Sequence, residues 1–241
     1  MKNILLTIFV FLSVLNFSYS QNSQLIDKVL SNLELKKEDC YEKFIRQKEL
    51  PNSSLESIVI IPKISELNRE EGIIIMDTYV LIVEKKTGEI KNTFFEKESL
   101  FSDAMVLEDI IIDSTDYKIG DKVRAFGIRI KYYGSSRVDP LSYESLSLFI
   151  ADKEKLKQVL KDYPLFKMNG QTNGNCNGIF EQHKKIITIT DNQTNGYYNL
   201  KITDSVTKSE STENDCERNI IEEKEKIELL KYENGKYKNV L

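Results

Sequence analysis

The chain alternates hydrophobic and polar residues in two runs between positions 124 and 150, and this alternation constrains the fold more than any other feature. The alternating hydrophobic residues are Phe126, Ile128, Ile130, Tyr132, Leu146, Leu148 and Ile150. A period of two is typical of a β-strand that buries one face. The polar stretch GSSRVDP at 134–140 separates the two runs. The sequence therefore predicts a β-hairpin with a polar loop at its tip.

Short β-branched runs recur before and after this hairpin. Further candidate strands lie at 57–61, 73–76, 79–83, 90–95, 106–112, 186–190, 197–203 and 226–232. Asn234-Gly235 follows the last of these runs and is a strong signal for a two-residue hairpin turn. The polar stretch 207–217 is expected to be a surface loop. Together these patterns predict an all-β, mostly antiparallel domain over residues 51–241.

Two segments predict helices instead. Residues 23–49 begin with apolar residues spaced three and four apart, which indicates an N-terminal helical extension over 21–50. Asp152 can cap a second helix that ends before Pro164. The apolar face of that second helix consists of Leu156, Val159, Leu160 and Tyr163. We therefore expect one or two helices beside the strands.

The first twenty residues have the composition of a secretory signal. Lys2 precedes an apolar run at 4–15, and Ser18 and Ser20 supply the small residues that signal peptidase requires. We expect a cleaved signal peptide over 1–20, with an uncleaved anchoring helix as the alternative, and hence a periplasmic or secreted mature protein. No later run approaches the ~18 apolar residues of a membrane-spanning helix.

Composition argues against several classes of function. The 34 basic residues against 38 acidic ones give a mild acidic excess, which is poorly suited to nucleic acid. The absence of tryptophan weakens, without excluding, a carbohydrate-binding role. His183 is the only histidine, and the three cysteines lack zinc-ligand spacing. We expect no metal, no cofactor and no nucleic-acid partner.

The cysteine count is odd for an exported protein. Cys176 and Cys216 lie in stretches rich in asparagine, glycine and aspartate, where a bridge can form without disturbing strands. We expect these two to form a disulfide. Cys40 is then left over, as a free buried thiol or, alternatively, as half of an intermolecular bridge.

Carboxylates offer the main catalytic alternative, because a glycoside hydrolase needs only two of them. Asp103, Asp113 and Asp116 cluster around one predicted strand. A chain with 38 acidic residues produces such clusters by chance, and Asp113 and Asp116 flank a predicted turn, where aspartate caps backbone groups. We therefore expect a protein that is not an enzyme.

The central block from Ser102 to Phe149 carries a family resemblance in the order and spacing of short motifs. The motifs are Ser102-Asp103-Ala104, Ile112-Asp113 with Tyr117, Arg124-Ala125-Phe126-Gly127, Gly134-Ser135-Ser136-Arg137 with Pro140, and Leu146-Ser147-Leu148-Phe149. This block resembles the core of periplasmic peptidoglycan-hydrolase inhibitors. That family includes immunity proteins against type IV secretion effectors and relatives of the invertebrate-type lysozyme inhibitors.

The resemblance implies a non-catalytic, β-rich protein, built as a small β-propeller or a β-sandwich, whose partner is a lysozyme-like hydrolase. Such inhibitors push an exposed loop into the enzyme cleft. The matching contact residues are Gly134, Ser135, Ser136 and Arg137. Arg137 is the expected anchor, because a guanidinium pairs well with the carboxylates that line a muramidase cleft.

One position departs from the family pattern. An aromatic residue often follows the proline in that family, whereas this chain has Leu141 after Pro140. Tyr143 lies two residues further, on the same strand face, and is the expected substitute. A module that binds a glycan or another envelope ligand through the same loop is the alternative function.

Overall fold

The computed structural model describes residues 24–212 and 215–240, so the predicted signal peptide at 1–20 lies outside the described residues. Twelve strands form one mostly antiparallel sheet, which confirms the all-β prediction. The strands are β1 Arg46–Glu49, β2 Glu56–Asn68, β3 Ile73–Glu84, β4 Ile90–Ser102, β5 Met105–Lys118, β6 Arg124–Gly134, β7 Leu141–Asp152, β8 Lys155–Thr172, β9 Gly178–Thr194, β10 Tyr197–Thr212, β11 Asp215–Glu233 and β12 Lys236–Asn239.

Consecutive strands pair as antiparallel hairpins from β1 to β4 and again from β5 to β12. A single parallel pair, Thr93 with Lys155, joins β4 to β8. Because a meander reverses direction at every turn, alternate turns lie at the same end of the sheet. We call the end with the turns 69–72, 103–104, 135–140 and 173–177 the loop end.

The strands of this sheet enclose two apolar cores. The first core lies between β2–β4 and β5–β8. The second lies between the central strands β5–β8 and the last strands β10–β12. Strand β6 sends Phe126 and Ile128 into the first core and Ala125 into the second. Burial on both faces therefore replaces the single buried face that the alternation predicts.

The helix predicted to start at Asp152 is wrong, because residues 155–172 form strand β8. Leu156 packs in the first core, whereas Val159 and Leu160 pack in the second. The pairing of β7 with β8 shifts register three times, and such bulges interrupt the strict alternation of a strand. The resulting spacing of three and four residues imitates a helical face.

The N-terminal helical extension is shorter than predicted. Its described α-helical part, α1, covers residues 24–32. Glu34 then adopts a left-handed backbone conformation with φ 56°, which is a common way to end a helix. Two 3-10 turns, Lys37–Asp39 and Glu42–Phe44, precede β1. Among the described residues, no helix has the length and apolarity to cross a membrane.

Helix α1 covers the face of β2 and β3 that points away from the first core. Its residues Leu25, Val29 and Leu30 are buried in a third apolar cluster, together with Val59 and Leu81 of the sheet. Both faces of β2 and β3 are therefore buried, which accounts for their long apolar runs.

The cysteines are arranged as predicted. Cys176 and Cys216 form a disulfide, and Cys40 is a buried free thiol. The surface loop predicted at 207–217 is wrong, because β10 continues to Thr212 and β11 begins at Asp215. Polar residues form strands here because each long strand pairs with a neighbour along most of its length.

Side chains rather than backbone bonds close the seam between β1 and β5. Arg46 Nε donates to the carbonyl of Ile110 at 2.7 Å, and its Nη2 lies 2.5 Å from Asp109 Oδ1. Lys48 Nζ donates to the carbonyl of Ile112 at 3.2 Å. These bonds satisfy carbonyls along the edge of β5 that β1 does not pair with.

Replacing Arg46 with alanine should lower the free energy of unfolding by about 2 kcal/mol, because it removes several charge-assisted hydrogen bonds at the seam. Urea denaturation followed by circular dichroism measures this change. Arg69→Ala, in the exposed turn between β2 and β3, is the matched control and should change stability by less than ~0.5 kcal/mol. Equal effects of the two substitutions would contradict a role for the seam.

Candidate functional site

The loop at 135–140 connects β6 to β7 at the loop end, as the sequence predicts. Residues 135–139 are all exposed. Gly134 begins the turn, and a Cβ there would lie 3.2 Å from the Cβ of Leu141, so a side chain would crowd the first residue of β7. The structure thus brings four of the predicted contact residues, 134–137, together on one exposed turn.

The loop is bonded to itself and to the neighbouring turn. The amide of Ser135 donates to the carbonyl of Ala104 at 3.0 Å, which joins the loop to the β4–β5 turn. The amide of Asp139 donates to Ser136 Oγ at 3.0 Å. Ser136 therefore shapes the turn, a role that the sequence analysis did not assign to it.

Strand β8 supports the other side of the loop. Thr172 donates from Oγ1 to the carbonyl of Arg137 at 2.7 Å and from its amide to the carbonyl of Val138 at 2.8 Å. The amide of Gly170 donates to the carbonyl of Pro140 at 3.0 Å. Three carbonyls of the loop thus accept bonds from one neighbouring strand, which restricts its backbone.

The guanidinium of Arg137 is presented to solvent. Within the described part of the chain, no hydrogen bond or ion pair reaches this side chain. The backbone that holds Arg137 is fixed by Thr172, whereas its five N–H donors are available to a partner. This combination of a restrained backbone and an unused cation is the main property of the loop.

Tyr143 lies outside the loop. It pairs with Tyr132 across β6 and β7 and is half-buried on the face of the first core. Its hydroxyl lies 3.5 Å from the carbonyl of Asp162, and burial raises the pKa of this tyrosine. The structure therefore places Tyr143 in the wall beneath the loop and does not bring it together with residues 134–137.

Several exposed apolar side chains at or near the loop end were not singled out from the sequence. Phe101, Tyr133 and Val138 are 48%, 42% and 51% exposed. Tyr133 directly precedes Gly134, and Val138 lies within the loop. A large apolar residue on the solvent side of an alternating strand is the sequence signal that could have identified Tyr133.

The three carboxylates considered for catalysis are not assembled into one site. Asp103 accepts a hydrogen bond from the amide of Met105 at 2.7 Å and caps the β4–β5 turn. Asp116 pairs with Arg124 on the neighbouring strand. Both are exposed, whereas Asp113 is buried.

Asp113 is the acceptor of a dense set of hydrogen bonds. Arg129 Nε and the Tyr117 hydroxyl both donate to Oδ2 at 2.8 Å. The amide and hydroxyl of Thr115 donate to Oδ1 at 2.9 and 2.7 Å. Arg129 also donates to Glu144 at 3.0 Å, so the network spans β5, β6 and β7.

These donors determine the protonation of the network. Burial by itself would raise the pKa of Asp113, but the hydrogen bonds from Thr115, Arg129 and Tyr117 lower it to about 2. Burial and the Asp113 carboxylate raise the pKa of Tyr117 to about 12. Asp113 is therefore ionised at neutral pH, whereas the acid of a glycosidase must hold a proton there.

A cleft of about 410 Å³ lies beside this network, between the central strands and β9. Its lining residues are Thr115, Tyr117, Arg129, Glu144, Leu165, Phe166, Lys184, Lys185, Ile186 and Ile187. Sequence reasoning missed Arg129 and Glu144, because only the register of β6 and β7 brings them together. Arg129 forms ion pairs with both Asp113 and Glu144.

His183 lies between two carboxylates. Its Nδ1 lies 2.9 Å from Asp204 and its Nε2 lies 3.2 Å from Glu181, so both ring nitrogens are engaged. Among residues 24–212 and 215–240, no group of histidine, cysteine and carboxylate side chains could hold a metal ion.

No protein-family model, curated protein or solved structure matches this chain. The functional argument therefore depends on the geometry of the chain itself. The loop at 135–140 carries an unused charged group on a restrained backbone, and the Asp113 network is internally satisfied.

Replacing Asp113 with asparagine should flatten the dependence of stability on acid pH. The depressed pKa of Asp113, about 2 against 3.8 for a free aspartate, corresponds to about 2 kcal/mol of stability present above pH 4. That stability should disappear as pH falls from 4 to 2 in the parent but not in the variant. Urea denaturation at a series of pH values measures it.

Asp103→Asn is the control, because the asparagine oxygen can still accept the bond that caps the turn. It should follow the parent at every pH. Parallel pH profiles for Asp113→Asn and the parent would contradict the assignment of the network.

Proposed function

We propose that this protein is a non-catalytic binding protein that inhibits a lysozyme-type peptidoglycan hydrolase by placing the loop at 135–140 in its cleft. The observation that supports this most is the exposed guanidinium of Arg137, which has no partner among the described residues. It lies on a loop whose backbone is bonded to Ala104, Gly170 and Thr172. The partner class follows from the resemblance of residues 102–149 to hydrolase inhibitors.

The loop at 135–140 and the cleft of a peptidoglycan hydrolase have complementary chemistry. A glycosidase that cleaves peptidoglycan has two carboxyl groups in its cleft, and arginine can bind a carboxylate through two parallel hydrogen bonds. The hydroxyl of Ser135 adds a donor and acceptor beside it. An inhibitor of this kind occupies the cleft without offering a bond to hydrolyse.

Restraint of the loop lowers the cost of binding. Ordering a flexible segment on association costs free energy, and a segment already ordered in the free protein avoids most of that cost. The hydrogen bonds to β8 and to the β4–β5 turn hold the loop in one conformation. Exposed Tyr133 and Val138 beside Arg137 provide the aromatic and apolar contacts that often surround an anchoring arginine.

Among the described residues, the three carboxylates considered for catalysis all have partners within the fold, which favours binding over hydrolysis. Asp113 is saturated by donors, Asp116 is paired with Arg124, and Asp103 caps a turn. We propose a periplasmic or secreted location, which agrees with a disulfide between Cys176 and Cys216, since such bonds persist in oxidising compartments.

Replacing Arg137 with alanine should weaken inhibition at least about tenfold, because a central arginine anchor contributes more than ~1.4 kcal/mol at typical interfaces. The assay is the clearing of a peptidoglycan suspension by a panel of lysozymes, with and without the protein. Lys122→Ala, an exposed cation in the β5–β6 turn at the opposite end of the sheet, is the control and should inhibit like the parent.

Each outcome has a distinct meaning. Inhibition by the parent and both variants would support an inhibitor whose contact surface lies outside the loop. No inhibition of any enzyme, with binding of peptidoglycan fragments by the parent, would favour an envelope glycan-binding module. Clearing of the suspension by the protein itself would contradict the non-catalytic assignment.

A further inference from the structure

The loop at 135–140 and the β8–β9 loop at 173–177 meet at one hydroxyl group. Thr172 Oγ1 donates to the carbonyl of Arg137 at 2.7 Å, and it accepts from the amide of Gly174 at 3.0 Å. A single side chain at the end of β8 therefore bonds both loops. Because a hydroxyl can donate one bond and accept others, threonine or serine can make both contacts at once.

The β8–β9 loop is also bonded to β10 and β11. Cys176 forms the disulfide with Cys216 of β11, and Ser211 Oγ donates to the carbonyl of Cys176. Within the loop, the amide of Asn173 donates to the carbonyl of Asn177 at 3.0 Å. The disulfide thus connects the β8–β9 loop to the β10–β11 hairpin, while Thr172 connects it to the loop at 135–140.

The β8–β9 loop presents asparagine side chains to solvent. Asn173, Asn175 and Asn177 are exposed, and the half-buried residues between them are Gly174 and Cys176. The amide of Asn175 donates to Asn173 Oδ1 at 3.0 Å, which orders the turn. Exposed amides both donate and accept hydrogen bonds and suit the polar rim of an interface.

We infer that the loops at 135–140 and 173–177 form one composite contact surface, in which Thr172 is a positioning residue and Asn175 a contact residue. This rests on the proposed function. The partner that fits is a saccharide-binding cleft with a central carboxylate pair and a polar rim. Arg137 reaches the carboxylates, and Asn175 and Asn177 replace sugar hydroxyls at the rim.

Two pairs of variants separate positioning from contact. Thr172→Val removes the hydroxyl at nearly constant shape, and Thr172→Ser restores it. Asn175→Glu places a negative charge opposite an acidic cleft, and Asn175→Gln keeps the amide. One readout is hydrogen exchange, in the free protein, of the two loop amides that donate hydrogen bonds, those of Ser135 and Asp139. The other is the dissociation constant for the lysozyme that the clearing assay selects.

Thr172→Val should speed exchange of the loop amides severalfold and weaken binding about fivefold, and Thr172→Ser should restore both. Asn175→Glu should weaken binding at least about tenfold without changing exchange, because like charges across an interface repel. Asn175→Gln should bind within about threefold of the parent.

The outcomes separate this inference from the proposed function. If Arg137→Ala abolishes binding but Asn175→Glu does not weaken it, the second loop is outside the surface and the proposed function stands. Unchanged exchange in Thr172→Val would overturn the positioning role even where binding is intact. A parent protein that binds no lysozyme would overturn both the proposed function and the composite surface.

Discussion

Strands β6 and β7 are buried on both faces over residues 125–128 and 145–150, and most of the molecule is arranged around this constraint. Phe126, Ile128 and Phe149 pack on one side, whereas Leu146 and Leu148 pack on the other. A strand buried twice cannot tilt or slide without exposing one core. The contact loop is therefore carried by a hairpin whose other end is fixed between two cores, while the strand segments next to the loop, 129–134 and 141–144, are mostly half-buried.

Charged side chains add bonds between strands to those that the backbone makes. Arg46 bonds the edge of β5 across the seam to β1, and Arg129 joins Asp113 to Glu144 across β5, β6 and β7. Both arginines have carboxylate partners within the fold. Arg137, by contrast, has a fixed backbone and no internal partner among the described residues. The guanidinium of Arg137 is therefore available for binding, whereas those of Arg46 and Arg129 stabilise the fold.

The sequence was sufficient for the central hairpin, its polar tip and the disulfide, because alternation and loop composition are local patterns. It was misleading at 152–163, where register shifts between β7 and β8 give a strand the spacing of a helix. The supporting role of Thr172 was not predictable, because a hydroxyl 35 positions from Arg137 has no local signature. The Asp113 network was not predictable for the same reason, because only strand pairing brings Arg129 and Glu144 close to Asp113.

The most direct test of the account is an amide chemical-shift titration of the isotope-labelled protein with an unlabelled lysozyme. The account predicts perturbations at the loop end, in 135–139 and 173–177, with the opposite turns at 153–154 and 195–196 unchanged. Perturbations confined to the cleft lined by Arg129 and Lys185, or to the opposite turns, would contradict it. So would a titration against the whole lysozyme panel that shifts no resonance.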